Sequence, residues 1–212
     1  MSSKLAKIDI PKHFGPFELL KQWIGEFKSY TSDGPIPFNL ATSSKTGDVQ
    51  NRFVLLAKLM DDGLIFTTML NSPKIHHINE NPKVAGAFLF NYSNGNSEMI
   101  SRQVRFEGKI VKVDSEITNE LFDAWPFYAK VRGVLYSEQS TEIKWDNAKE
   151  RHDKLVEQFK SNVSELKCPN YIVSYKIVPT TFDFYHAGIN EIADRVLFNY
   201  NSGKWITSHI SA

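Results

Sequence analysis

From Phe38 onward the chain is cut by turn residues into short β-type runs, and this succession limits the folds open to it. Phe38 to Thr42 is followed by the turn Lys45-Thr46-Gly47-Asp48 and then by Asn51 to Leu59, and a hairpin turn at Asp61-Asp62-Gly63 leads into Leu64 to Leu70. Lys83 to Phe90 and Met99 to Val113 form a further pair across the polar stretch Asn91 to Ser97. Tyr171 to Val178, Thr181 to His186, Val196 to Tyr200 and Trp205 to Ile210 close the chain, the last two around Asn201-Ser202-Gly203. About eight strands joined mostly as hairpins predict an antiparallel barrel rather than a βαβ nucleotide fold. Neither a GxGxxG run nor a phosphate loop is present, so a bound phosphate must be held by side chains.

Helices are few. Phe17, Leu19, Leu20, Trp23, Ile24 and Phe27 recur at helical spacing and predict an amphipathic helix over Pro16 to Tyr30, ended by Asp33-Gly34-Pro35. Ser72-Pro73 opens a second, with the Ser72 hydroxyl as expected cap, and Asn81-Pro82 stops it. Ser115 to Ala124, with Ser115 and Thr118 as candidate caps, and the Lys-rich Asp146 to Lys160, a wet face of paired charges, complete the set. No linker-like break interrupts the pattern, which predicts one domain over 1–212 with residues 1–14 loosely packed or disordered.

Hydrophobic residues at 42% suffice for a sizeable core, and a formal net charge of +1 supplies no field for nucleic acid or an anionic membrane. The single cysteine, Cys168, excludes an internal disulfide and fits a reducing compartment. No Cys/His spacing of the zinc type is found, so no metal is expected. No apolar run approaches the ~18 residues needed to cross a bilayer. With a short, polar, lysine-bearing N-terminus, this makes a cytoplasmic protein the expectation.

Arg52 begins the very apolar run Phe53-Val54-Leu55-Leu56, where it must snorkel to water or meet an anion, and alone it reads more often as an edge salt bridge. Lys74 lies on the first turn of the Ser72-Pro73 helix, where free amides and the dipole favour an anion. Taken alone, Lys74 reads as a solvated surface lysine; together the two make a sensible phosphate site. In Ser101 to Gly108, Arg102, Val104 and Phe106 face one way and Gln103, Arg105 and Glu107 the other. Gln103 suits a heterocycle, or equally a cross-strand polar ladder. Adjacent His76 and His77 cannot both ligate one metal, and nothing beside Cys168 in the sequence lowers its pKa.

The order and spacing of Phe38-Asn39-Leu40-Ala41-Thr42, Arg52 to Leu56, Gly63 to Thr68, Ser72-Pro73-Lys74, Asn81-Pro82, Arg102 to Gly108, Ser137-Glu138-Gln139-Ser140, Asp183-Phe184-Tyr185, Asp194-Arg195 and Trp205 resemble the pyridoxamine 5'-phosphate oxidase family. The resemblance runs from about Phe17 to Ile210. It implies a mainly β (α+β) fold, an antiparallel FMN-binding split β-barrel with peripheral helices, working as a homodimer with FMN at the subunit interface. It implies that Arg52, Lys74 and Ser140 hold the FMN phosphate, with Thr67 and Thr68 nearby and Val54 and Leu55 on the Arg52 strand also in the cofactor site. Gln103, Gln139, Tyr185 and Arg195 would meet the ring or the ribityl chain, some from the partner subunit. Tyr185 stands where a tryptophan is usual, which keeps an aromatic plane. Pro73 stands where an arginine is usual, which removes a positive charge.

The substrate side departs further. The family's usual lysine, tyrosine, arginine, serine, arginine and histidine are replaced by Ala57, Leu121, Trp125, Ala129, Glu191 and Ala193. The cationic anchors for a substrate phosphate are gone, and Glu191 reverses the sign. Lys58 comes one residue late and faces away. The expectation is an FMN-dependent oxidase that takes hydride from a small planar aromatic or heterocyclic compound, phenazine-type for instance, and is reoxidised by O2. No catalytic residue of the chain's own is assigned. Two alternatives stay open: a genuine pyridoxamine 5'-phosphate oxidase anchored through Lys58, Lys130 or Arg132, and a non-catalytic flavin-binding protein. Trp125, Phe127, Tyr128 and Tyr136 are an aromatic excess that suits a dimer contact or the core.

Overall fold

A computed structural model describes residues 4–95, 98–137, 139–188 and 191–212. In chain order they form β1 (Lys4–Leu5), α1 (Pro16–Tyr30), β2 (Ile36–Ser43), β3 (Val49–Leu56), β4 (Lys58–Met60), β5 (Gly63–Met69) and α2 (Pro73–Glu80). Then follow β6 (Lys83–Ser93), β7 (Met99–Lys112), α3 (Ser115–Asp123), α4 (Phe127–Leu135), α5 (Trp145–Phe159), a short 3-10 turn (Val163–Glu165), β8 (Ile172–Gly188), β9 (Glu191–Ile192), β10 (Asp194–Asn201) and β11 (Lys204–His209). Nine strands make one sheet in the order β11-β10-β8-β7-β6-β2-β3, with β5 joining β8 and β4 joining β5. All of these pairings are antiparallel, as the hairpin succession predicted, and the sheet curls into the split barrel that the family resemblance implied.

Period-two alternation fills the barrel. On β6, Val84, Phe88, Phe90 and Tyr92 point inward, while Leu89 between them is exposed. Phe38, Phe106, Phe182, Phe184 and Phe198 join them, and their rings meet edge-on or tilted at 5.2 to 6.2 Å. Helix α1 turns its apolar stripe onto the same core, Phe17 against Phe182 at 5.2 Å and Trp23 against Phe184 at 5.1 Å. Its start is fixed by Pro16 at the first turn and by the Gly15 amide, which donates to Glu18 Oε2 at 2.9 Å.

Strand β8 departs from the expectation of two separate runs. It continues unbroken through Pro179, because the register with β7 shifts at Glu107/Gly108, where Gly108 faces Pro179. The bulge absorbs the missing amide of the proline. Asn51 to Leu59, expected as one strand, divides at Ala57, where the partner changes from β2 to β5 and the Ala57 amide donates to Ile65 O at 2.8 Å.

Helix α4 was not predicted at all. Pro126 leads it in, and Lys130, Val131 and Val134 form its buried face against Phe122, Leu166 and Ile172. The caps also differ: Ser72 and Asp114 precede α2 and α3 with no side-chain cap bond, and Ser115 and Thr118 lie inside α3. Thr118 instead donates to the Asp114 carbonyl at 3.4 Å. The described part of the segment before α1 is not loose, since Ala6 and Ile8 are buried and the Ile8 amide donates to Asp194 Oδ2 at 2.8 Å.

Gly86 on β6 faces Leu40 on β2 and Phe106 on β7, and a Cβ there would meet the Phe106 ring and come within 2.7 Å of the Asn39 carbonyl oxygen. Neither the ring nor the backbone can yield without opening the sheet. Gly86→Ala is therefore expected to cost ~1–3 kcal/mol, measured as a lower urea midpoint with an unchanged slope.

Candidate functional site

The hairpin β2–β3 places Arg52 opposite Leu40, half-buried, with its guanidinium donating to Leu40 O at 3.0 Å, Thr42 Oγ1 at 2.9 Å and Gln50 Oε1 at 3.0 Å. Every one of these acceptors is neutral. The expected edge salt bridge does not form.

Lys74 corrects the solvated reading more sharply. It is 8% exposed on α2, and its Nζ donates to Thr68 Oγ1 at 3.0 Å and to Gln139 Oε1 at 3.3 Å, again neutral oxygens. Burial, and secondarily the charge of Arg52, lower its pKa from 10.5 to about 8. Thr67 on the same strand as Thr68 shares a 2.9 Å hydrogen bond with Ser174. Gln139 and Ser140 are exposed, and Ser140 holds a positive φ of 62°, a conformation that a non-glycine residue adopts at a cost. Val54 is half-buried and Leu55 exposed.

A second group lies on the outer face of the sheet. Leu89, Gln103, Tyr185 and Arg195 stand directly across from one another on β6, β7, β8 and β10 and line an open depression of about 300 Å³ with Arg105, Ser101 and Ala212. Arg195 is fixed there by Asp183, to which it donates through Nε at 3.0 Å and Nη2 at 2.7 Å, and Arg105 bonds the same carboxylate. Burial alone would raise the Asp183 pKa, but the hydrogen bonds and charges of Arg195 and Arg105 outweigh it and hold the carboxyl below its usual range. Sequence reasoning left Asp183 without a role. Its position two residues before Tyr185, hence on the same face of one strand, was the available signal; its pairing with Arg105 across β7 appears only in the fold.

The other candidates separate. Arg102 pairs with Glu26 at 2.6 Å and lies 4.8 Å over the Trp23 ring, on the inner side with Val104 and Phe106. Of the altered substrate positions, Leu121 is buried, Trp125 packs on Phe122 at 5.2 Å, Ala129 and Ala193 are half-buried and Ala57 is exposed. The Glu191 carboxylate is laid over Gly188. None of the six lines the depression. Lys58 is paired with Glu120 at 3.3 Å, Lys130 is buried 5.5 Å from the Phe122 ring centre and 4.0 Å from Asp123, and Arg132 is exposed. Burial and Asp123 push the Cys168 thiol up to about 11, which leaves it inert as a nucleophile at neutral pH. A larger concavity of about 450 Å³, walled by Thr42, Lys83, Glu107 and Lys109 among others, contains no predicted site residue. Among the described residues no cluster of three His, Cys, Asp or Glu is placed to hold a metal ion, and no helix is long and apolar enough to cross a membrane.

Comparison with known proteins bears on the family and the fold. Residues 30–158 match the family model described as pyridoxamine 5'-phosphate oxidase. A pyridoxine/pyridoxamine 5'-phosphate oxidase of Haemophilus influenzae is 30% identical over 94% of this chain and 90% of its own length. One from Pelagibacter ubique is 28% identical over 92% and 91%. Among solved structures, PhzG from Burkholderia lata 383, in complex with tetrahydrophenazine-1-carboxylic acid, superposes with a TM-score of 0.82 at 17% identity, covering 98% of this chain and 99% of that one. A pyridoxamine 5'-phosphate oxidase-related, FMN binding protein from Nostoc punctiforme follows with a TM-score of 0.73 at 14% identity, covering 94% and 99%. At these identities the two structures establish the fold.

Because the Asp183 pKa is depressed in the folded state, its stabilising contribution is present above the ordinary carboxylate range near pH 4 and is lost as pH falls through the lower folded value. Asp183→Asn is expected to cost ~1–3 kcal/mol at pH 7, less than a fully buried pair because both arginines reach solvent. The difference from wild type should shrink below pH 4 in denaturant titrations.

Proposed function

Because this chain belongs to the pyridoxamine 5'-phosphate oxidase family, we propose that it is an FMN-dependent oxidase acting on a planar aromatic or heterocyclic substrate other than pyridoxamine phosphate. The observation that carries the cofactor half of this reading is the pair Arg52 and Lys74, drawn together, desolvated and met only by neutral acceptors. Two such cations repel each other until an anion arrives, and a phosphate dianion answers both. The residues therefore fit the phosphate of FMN. When bound, that cofactor would supply the redox chemistry, accepting a hydride from the substrate and returning the electrons to dioxygen.

The chain's own work in this reading is binding and orientation. Arg52 and Lys74 neutralise the phosphate, and Ser140, next in sequence to the Gln139 that accepts from Lys74, is assigned as a further donor. Gln103 offers an amide able to donate to and accept from a heterocycle edge, while Tyr185 offers an aromatic plane next to it. Arg195, held by Asp183, keeps a fixed positive edge at the same depression.

The phosphate group lies on β3, β5 and α2 and takes in Gln139, which bonds Lys74 although it was expected at the ring, while Gln103, Tyr185 and Arg195 lie on β7, β8 and β10. Phe53, Leu55 and Leu89 leave large apolar side chains exposed on the outer sheet surface. A homodimer joining one subunit's cations to its partner's ring residues accounts for both features.

On the substrate side, the names of the relatives favour pyridoxamine phosphate as a second reading. Against it stand Lys58, committed to Glu120, and Lys130, turned onto Phe122 and Asp123. A peroxide assay separates the two: pyridoxamine 5'-phosphate is expected to turn over poorly, and a dihydroaromatic acid readily. Efficient conversion of pyridoxamine 5'-phosphate to pyridoxal 5'-phosphate would reverse the order.

Purified protein is expected to be yellow and to bind FMN. Lys74→Met should weaken FMN about 10- to 100-fold by loss of a charged hydrogen bond. Since Lys74 loses its proton as pH rises through about 8, wild-type affinity should begin to fall there, and the variant should lack that limb. Colourless protein that refuses FMN overturns the proposal. Phe53→Asp is expected to yield a monomer in light scattering and to lower FMN affinity in parallel; a variant that stays dimeric with full affinity removes the shared-site arrangement.

A further inference from the structure

The guanidinium of Arg52 carries five N–H donors. Both on Nη1 are used, by Leu40 O and Thr42 Oγ1, and one on Nη2 is used by Gln50 Oε1. Among the described residues nothing takes the Nε–H and the remaining Nη2–H. The Nε–H and the Nη2–H beside it form the edge that matches two oxygens of a phosphate, and the acceptor on Nη2, Gln50, is exposed and can give way to them.

What fixes that edge outward is the hold on Nη1. Gln50 is exposed and free to turn, whereas Thr42 is 2% exposed at the end of β2. Its hydroxyl oxygen accepts from Arg52 at 2.9 Å, so its own proton needs another acceptor. The one within reach is His77 Nδ1, at 3.4 Å on α2. A proton on Nδ1 would instead point at the Thr42 carbonyl, 3.3 Å away, and would leave the hydroxyl proton with no acceptor among the described residues. Satisfying the buried hydroxyl therefore assigns Nδ1 as acceptor and places the imidazole proton on Nε2. His77 comes three residues after Lys74, so both emerge on one face of the same helix.

We infer that Thr42 and His77 are positioning residues for the phosphate site: His77 orients the Thr42 hydroxyl, and Thr42 locks the Arg52 guanidinium with its Nε/Nη2 edge presented to the anion. The relay rests on the FMN reading above. It also couples the two cations mechanically, because Arg52 on β3 is tied through Thr42 on β2 to the helix that carries Lys74.

Riboflavin, which lacks the phosphate, provides the control. Thr42→Val keeps the side-chain shape and removes the hydroxyl, and it is expected to weaken FMN about tenfold while leaving riboflavin affinity unchanged. Thr42→Ser is expected to restore FMN binding. His77→Leu should reduce the FMN-to-riboflavin ratio in the same direction, by about threefold since its bond is longer, and His77→Gln, with an amide oxygen to accept the proton, should retain it. The half-buried His77 variants keep the test available if Thr42→Val fails to fold. Equal weakening of FMN and riboflavin, an unchanged ratio in Thr42→Val or, where that does not fold, in His77→Leu, or a serine that fails to rescue would overturn the relay. Wild type that prefers FMN while the variants keep its preference defeats this inference alone; wild type without any preference for FMN defeats the reading beneath it as well.

Discussion

The long antiparallel ladder between β7 and β8 is the constraint on which the other elements depend. Register pairs run from Ile100–Gly188 to Lys112–Tyr175, interrupted only by the bulge at Glu107/Gly108. On its other edge β8 pairs first with β5, over Ile172 to Ile177, and then with β10, over Thr181 to His186. One strand thus serves two neighbours in succession on one side while keeping a single partner on the other. That geometry splits the barrel, and it brings Thr67 on β5 against Ser174 near one end of β8 while Tyr185 and Arg195 gather near the opposite end. The core phenylalanines Phe182 and Phe184 alternate along the same few residues with Asp183 and Tyr185 on the other face of the strand. Folding the core and presenting the outer face are therefore one event.

The arginines divide by what they meet. Arg102 has Glu26, and Arg105 and Arg195 share Asp183, so each of these charges is compensated within the chain. Arg52 and Lys74 have none of this. A buried lysine shifted from 10.5 to about 8 represents up to about 3 kcal/mol against the charged form, reduced by whatever solvent still screens. A fold gains nothing from such a group unless something outside the chain returns the loss. On the proposed reading, the acid-paired arginines contribute to stability and the unpaired cations to binding.

The sequence made most of the sheet legible because alternation and turn residues are local properties. It placed α1, the β2–β3 hairpin, the β6–β7 pair and the closing β10–β11 hairpin within a few residues of their observed limits. It broke β8 at Pro179 because the bulge that tolerates this proline, with Thr180 left over where β7 runs from Glu107 to Gly108, is defined by a register with a strand about 70 residues earlier that the sequence does not display. It missed α4 because Phe127, Tyr128 and Gly133 carry weak helical preference and the helix is held by packing on Phe122, Leu166 and Ile172. Lys74 was misjudged alone for the same reason: it is buried, and bonded to Thr68 and Gln139, by neighbours that only the fold brings near. Asp183 was passed over since an acid on a strand reads as solvent-facing until its two arginines are in place.

At the substrate end the logic of compensation runs the other way. Lys58 and Lys130 already have acidic neighbours in Glu120 and Asp123, so neither carries the uncompensated charge that marks Arg52 and Lys74. Glu191 adds a carboxylate, seated over Gly188 where any side chain would collide with it. Under the proposed function, a second phosphate would find Lys58 and Lys130 already beside acids and would have to displace these to gain a cation. On the proposed reading, the protein keeps a strong anion site for its cofactor and selects its substrate by shape and stacking, forces that suit a flat ligand carried against Tyr185 and Gln103.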